Sequence, residues 1–590
     1  VDFDGSVHHF TYILSSMSHL LKRKAGVFVP LFALKGSEDQ GVGDTRAMKE
    51  MIDWCHERQL SVLQILPINE TSGDNSPYNA VSSVALEPTT LSVRPGDVPG
   101  LSQQLYEEMK CKHALDSLGT DTVVYSRLRP FIRDVGFHAM DALNSDEEAA
   151  FLSFCESHEA WLYDYSLFRS LMEWNAGSPV WMDWREEHRS PHQASRWHSH
   201  LEEVEKNRLD RLIRYFSFLQ WVLDLQWCDV KQYAAKRGVG LMGDIPFGVS
   251  RHSVDVWASP DWFNLEWSGG APPEPSFQGD TFIRRWGQNW GIPPYHWDRM
   301  EETDYLWWRR RVKYVSRYFD LFRIDHILGF YRLYSFPWTP ERNDEFAELE
   351  KDEVEAMVGD LPRFIPESDE TNEGAAINQA QGEKLLQIIL EAAGDSVVVG
   401  EDLGVVPDYV RPSLEKLGIS GFKIPVFERN EETQEYSPVE EYPELTVSTL
   451  ATHDHLPMRG LWRQWWDSFE QSRMYEVNSE ARQGGDQDSW EIYRTQRFLG
   501  LPDETMVREF EPAVREAWLQ KLLQTPSWLA VFMITDIFGQ ELRFNVPGPV
   551  ADSNWSQRLP ASIQQMNESE EYRGILEWLQ IQIKKSGRRG

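Results

Sequence analysis

The chain has 590 residues, 41% of them hydrophobic and 26% charged, ordinary proportions for a folded globular protein but too long for one simple core. Its formal net charge of -34 at pH 7 argues against nucleic acid and anionic membrane as partners, because both select basic surfaces. The four cysteines, Cys55, Cys111, Cys155 and Cys228, are widely spaced with no CxxC pair, so free thiols in a reducing compartment are expected.

Residues 1–23 read as an N-terminal extension. The opening "VDFDGSVHHFTYILSSMSHLLKRK" lacks the basic n-region and long apolar core of a signal peptide, which makes a cytoplasmic protein the default. Residue 1 is not Met, so a removed leader, and with it a plastid location, stays open. No stretch approaches the ~18 apolar residues of a membrane span.

From residue 24 onward, short β-branched runs recur. The first is "AGVFVPLFAL" (25–34). After Asp44, a candidate N-cap, Met48, Met51, Ile52 and Cys55 follow at helical spacing. The second run is "LSVLQILPI" (60–68), and residues 90–238, rich in Trp, Leu and charge, then read as a mainly helical insertion. The third, "VGLMGDIPFG" (239–248), precedes an insertion at 250–300. The fourth, "YFDLFRIDHI" (318–327), precedes one at 335–372, whose acids read as a solvated helix face. Leu385, Leu386, Ile388, Ile389 and Ala392 recur at helical spacing before Gly394, a helix stop. Then come "SVVVGEDLG" (396–404), "ISGFKIPVF" (419–427) and "LTVSTLATHD" (445–454). A last insertion, 456–526, precedes "LAVFMITDI" (529–537).

Eight hydrophobic strands alternating with helices predict a parallel sheet covered on both faces. That number favours a closed (β/α)8 TIM barrel over residues 24–590, with no separate C-terminal β-domain. No GxGxxG turn follows the first strand, which removes the main support for a dinucleotide-binding sheet. A bare barrel needs only ~250 residues, so the mainly helical insertions after strands 2, 3, 4 and 7 make up the rest. All four follow strands, on the face where barrels keep their active sites.

Asp244, Asp325, Glu401 and Asp454 fall at the C-terminal ends of the third, fourth, fifth and seventh strands. Arg323, His326 and His453 lie beside them. Charged groups are costly to bury unless paired or used. Two carboxylates held at different pKa values are the machinery of glycosidic bond cleavage. Arg323, two residues before Asp325, shares its strand face and is expected to keep it anionic, as a nucleophile requires. Glu401 has no such cation in its own strand, which favours a raised pKa and an acid/base role. The competing reading is a divalent metal site built from Asp244, Glu401, Asp454 and His453.

The motifs "FRIDHILGF", "VGEDLGVVP" and "LATHDHLP" resemble those of the amylomaltases, the disproportionating 4-α-glucanotransferases related to the α-amylase superfamily. "QILPINETSGDNSPYNAVSS", "GDIPFGVSRHSVDVW", "WGQNWGIPPYHW", "FGQELRFNVPG" and "NWSQRLP" resemble the same family in order, so the likeness runs from about residue 25 to 560. The resemblance implies a retaining double displacement with Asp325 as nucleophile, Glu401 as general acid/base and Asp454 as the third, stabilising acid. It implies that Arg323 orients Asp325, and that Asp244, His453, Ser76, Tyr78, Gln288, Trp290 and Asn545 bind substrate. It also implies α-1,4-glucans and maltooligosaccharides as donor and acceptor, with no metal or organic cofactor. Most of the 25 tryptophans are expected in packing, with Trp290 the one set at the site. The sequence departs from the family pattern at Glu274, Pro275 and Ser276, at Ile292 and at Pro549. Those departures bear on acceptor length and on the loop over the site. A retaining α-glucan hydrolase on the same barrel, or a non-catalytic glucan-binding protein, are the alternatives.

Overall fold

The computed structural model describes residues 22–115, 121–273, 280–478, 491–547 and 553–588. Nearly all of the N-terminal extension, and the departures at Glu274, Pro275, Ser276 and Pro549, lie outside the described residues. Among the described residues twelve strands follow in chain order: β1 (Lys24–Phe28), β2 (Val62–Gln64), β3 (Gly240–Ile245), β4 (Ser268–Ala271), β5 (Gln288–Ile292) and β6 (Leu321–Ile324). Then follow β7 (Leu333–Phe336), β8 (Arg363–Ile365), β9 (Val397–Gly400), β10 (Gly421–Lys423), β11 (Thr446–Thr449) and β12 (Leu529–Met533).

All eight hydrophobic runs become strands of one parallel sheet, in the order β10-β11-β12-β1-β2-β3-β6-β9. The ends of that series meet: Val399 bridges Ser420, and the Gly400 N–H donates to the Ser420 carbonyl at 2.9 Å. This is the closure of a (β/α)8 barrel. Its interior is filled rather than hollow, with Phe28, Val62, Met242, Leu321, Val399, Phe422, Val447 and Val531 packed together and buried.

The helices form where capping and periodicity dictate. Asp44 accepts from the Arg46 and Ala47 N–H groups at 2.9 Å, starting the helix Thr45–Glu57, which buries Met48, Met51, Ile52 and Cys55. The helix Asn372–Ala393 buries Leu385, Leu386, Ile388 and Ile389 and stops at Gly394, where φ is +60°. Between β2 and β3 the chain is helical, ending in the helix Glu203–Lys236, which packs on both Glu159–Trp174 and Thr45–Glu57. Among the described residues no helix is long and apolar enough to cross a membrane.

The segments after β3 and β6 are less helical than their sequences suggest. They contribute a second, antiparallel sheet of order β5-β4-β7-β8, which joins two stretches far apart in the chain. Gly270 permits it, since a Cβ there would lie 1.8 Å from the Gln288 carbonyl oxygen. Because β7 begins nine residues after β6 ends, this sheet stands beside the barrel mouth and carries the β5 side chains toward it.

Candidate active site

β3 and β6 are neighbours in register, with Asp244 opposite Arg323, so an acid and a base arrive side by side at the barrel mouth. Arg323 spans two carboxylates: Nη1 donates to Asp244 Oδ2 and Nη2 to Asp325 Oδ1, both at 2.6 Å. Burial opposes the charge on Arg323, yet Asp244 and Asp325 raise its pKa well above the ordinary arginine value. Tyr78, from the loop after β2, donates its hydroxyl to Asp244 Oδ2 at 2.7 Å. Burial and the adjacent Asp244 push that phenol well above its usual range, so it stays a donor. Asp244 is therefore engaged by Arg323 and Tyr78 beneath the mouth. Arg323→Met would leave Asp244 buried with only the Tyr78 hydroxyl, and is expected to cost about 3–5 kcal/mol of stability, read as a lower urea midpoint.

Strand β6 ends at Ile324, one residue before Asp325. Asp325 Oδ1 is held by Arg323, while Oδ2 accepts no hydrogen bond among the described residues and the side chain keeps 32% exposure. One carboxylate oxygen is thus fixed and the other free. His326 then takes the left-handed conformation, with φ 48° and ψ 55°. Strand alternation ceases to apply there, and the turn aims its backbone N–H at Glu401 Oε2, 2.8 Å away. Its imidazole lies edge-on to Trp290 with centroids 4.8 Å apart. Burial holds that imidazole down at about 4 despite Asp325, so it is neutral at pH 7.

Glu401 follows directly on β9. Burial pushes its carboxyl up to about 7; Arg323 and the His326 N–H pull the other way and Asp325 adds to the rise. Two carboxyl groups in one site therefore differ, one salt-bridged to arginine and one pushed by burial toward its protonated form.

Asp454 lies five residues beyond β11, in a loop. Asn545 Nδ2 donates to its Oδ1 at 2.6 Å, and His453 Nε2 stands 3.2 Å from its Oδ2. Burial alone would raise its pKa, but His453, Asn545 and Arg323 together hold it well below the carboxylate range. His453 is itself fixed by stacking on Tyr78, centroids 4.9 Å apart. These contacts tie the β2, β3, β6, β9 and β11 ends into one network.

The remaining candidates stand around it. Ser76 Oγ accepts the Tyr78 N–H at 3.3 Å and so shapes the loop that delivers Tyr78. Gln288 and Trp290 come from β5, with Trp290 Nε1 donating to Gln288 Oε1 at 3.1 Å. Trp290 is 39% exposed, whereas Trp54, Trp227, Trp257, Trp308 and Trp338 are buried in packing. Among the described residues no three His, Cys, Asp or Glu groups converge as a metal site.

Two features were not among the sequence candidates. A cavity of about 580 Å³ adjoins Asp454, lined by Phe427, Leu461, Gln464, Trp465 and Phe469, and it reaches neither Asp325 nor Glu401. Arg543 also lines it. The signal for Arg543 was its place two residues before Asn545 in "LRFNVPG".

The family model for 4-alpha-glucanotransferases matches residues 29–564. The 4-alpha-glucanotransferase of Chlamydia pneumoniae is 29% identical over 595 residues, covering 97% of each chain. That of Thermus thermophilus is 27% identical and covers 91% of this chain and 95% of its own. The amylomaltase of Streptococcus agalactiae, solved in complex with acarbose, has the same fold, with a TM-score of 0.72 at 21% identity, covering 96% of this chain and 100% of that one. With a match that spans the barrel and its insertions, the chain belongs to the 4-α-glucanotransferase family.

Proposed function

We propose that this 4-α-glucanotransferase moves α-1,4-glucan segments between maltooligosaccharides by a retaining double displacement. Asp325 attacks the anomeric carbon through its free Oδ2 while Glu401 protonates the departing glycosidic oxygen, giving a covalent glycosyl-enzyme and a shortened leaving chain. Glu401, now ionised, takes the proton from the 4-hydroxyl of an acceptor. That oxygen attacks the anomeric carbon and Asp325 leaves. Asp454, held ionised by Asn545 and His453, faces the positive charge that develops on the sugar.

The observation that carries this reading is the contrast between the two carboxyls. Asp325 is paired to Arg323 at 2.6 Å, and Glu401 is pushed up to about 7. Asp244 and Tyr78 act through Arg323, and Trp290 offers a flat apolar face of the kind that packs on sugar C–H groups. The α-glucan substrate class rests on the family. A cytoplasmic location suits the four cysteines, all of which are free thiols.

Transfer and hydrolysis share the covalent intermediate and differ in whether sugar or water attacks it. Incubation with maltotriose is expected to give a ladder of longer oligomers together with glucose, resolved by chromatography. Shorter products alone would replace this reading with a hydrolase.

A further inference from the structure

The segment that supplies Asn545 alternates. Phe544 is buried against Phe32, with ring centroids 6.2 Å apart and the planes edge-on, while Arg543 and Asn545 on either side point toward the site. Arg543 Nη2 donates to the backbone carbonyl of Asp454 at 2.5 Å, and its Nε donates to the carbonyl of Asn545 at 2.7 Å. Asn545 Nδ2 closes the ring on Asp454 Oδ1. One rigid guanidinium therefore grips the backbones of both an acid and the amide that orients it, although the acid and amide lie 91 residues apart.

This arrangement has no counterpart at the other two acids. Asp325 and Glu401 sit directly on strand ends, so barrel hydrogen bonds fix their backbones: Asp325 N–H to the Ile245 carbonyl and Glu401 N–H to the Ile324 carbonyl, both at 2.9 Å. Asp454 is five residues beyond its strand and has no such bond to a neighbouring strand among the described residues. We propose that Arg543 is a positioning residue that takes the place of the missing strand bond, holding Asp454 and Asn545 in register at the barrel mouth.

The inference rests on the role given above to Asp454. Lysine cannot bridge two carbonyls in the fixed geometry of a guanidinium, so Arg543→Lys tests the clamp while keeping the charge. Arg543→Ala and Arg543→Lys are each expected to lower kcat with maltotriose by about 100-fold, the scale of a misplaced reacting group, with KM within about threefold of native. Added guanidinium is expected to restore part of the Arg543→Ala rate and none of the Arg543→Lys rate. In an Asn545→Ala background the Arg543→Lys loss is expected to shrink to about threefold, because contacting residues that act as one unit are not additive.

A folded Arg543→Lys enzyme with native kcat overturns the proposal. So does a raised KM at unchanged kcat, which would make Arg543 a substrate contact from the cavity side. If Arg543→Ala does not fold, Arg543→Lys alone decides. Asp454→Asn separates the two levels: full activity there would remove the role of Asp454 itself. An inactive Asp454→Asn beside a fully active Arg543→Lys would remove only the clamp.

Discussion

Asp325→Asn is expected to lower transfer from maltotriose by about four to six orders of magnitude, the loss found when a covalent nucleophile is removed. Asparagine keeps the shape of the side chain and an oxygen for Arg323 Nη2, so the fold and the bridge to Asp244 persist. What it lacks is a charged oxygen able to attack. The unfolding midpoint should therefore stay close to native while kcat collapses, a split that a packing role could not produce. Covalent labelling by a glycosyl fluoride, followed by mass spectrometry, should be lost with it. An Asp325→Asn enzyme that still turns over, with the native ladder of products, would end the assignment.

Glu401→Gln is expected to cost about 10²–10⁴-fold on maltotriose, the usual share of general acid/base catalysis. The effect should depend on the leaving group. Fluoride departs without a proton, so a maltosyl fluoride donor should still form the glycosyl-enzyme, which then accumulates because no base activates the acceptor. The pH dependence carries a sign. Burial raises the Glu401 carboxyl to about 7, so the proton needed for bond cleavage is present below that pH and is lost as pH rises through it. Native turnover limited by the first step should accordingly decline above about pH 7, and the Glu401→Gln profile should lack that decline. An unchanged alkaline limb in the variant would assign it to another group.

Much of the barrel was legible because its signals are local. Each wall strand lies within a short hydrophobic run, and helices such as Asn372–Ala393 show a 3.6-residue apolar stripe and a stop at Gly394. The antiparallel sheet was not legible. β4 is "SGGA", which carries no apolar alternation, and its partner β7 lies beyond the barrel strand β6 in the chain. The direction of the His326 side chain was not legible either. Its orientation depends on where β6 ends, and propensity does not fix a strand end to one residue. Arg543 had no pattern of its own, since what distinguishes it is a pair of backbone carbonyls, one of them 89 residues away.

The sequence alone determined the chemistry on offer: which acids, which arginine, and a periodicity that delivers them to one end of eight strands. Side-chain identity and local hydrogen bonding decide those things, and both act over a few residues. The spacing of Arg323 and Asp325 already set that acid apart from Glu401; the tertiary structure decided the remaining partners. Arg323 meets Asp244 across 79 residues of chain, Tyr78 meets Asp244 across 166, and Asn545 meets Asp454 across 91. A carboxyl's charge is set by burial and by which ion or donor lies within a few ångströms. Barrel closure adds those neighbours, so beside an Asp325 ion-paired within its own strand end stand a Glu401 whose pKa is raised by burial and an Asp454 whose pKa is lowered by His453 and Asn545.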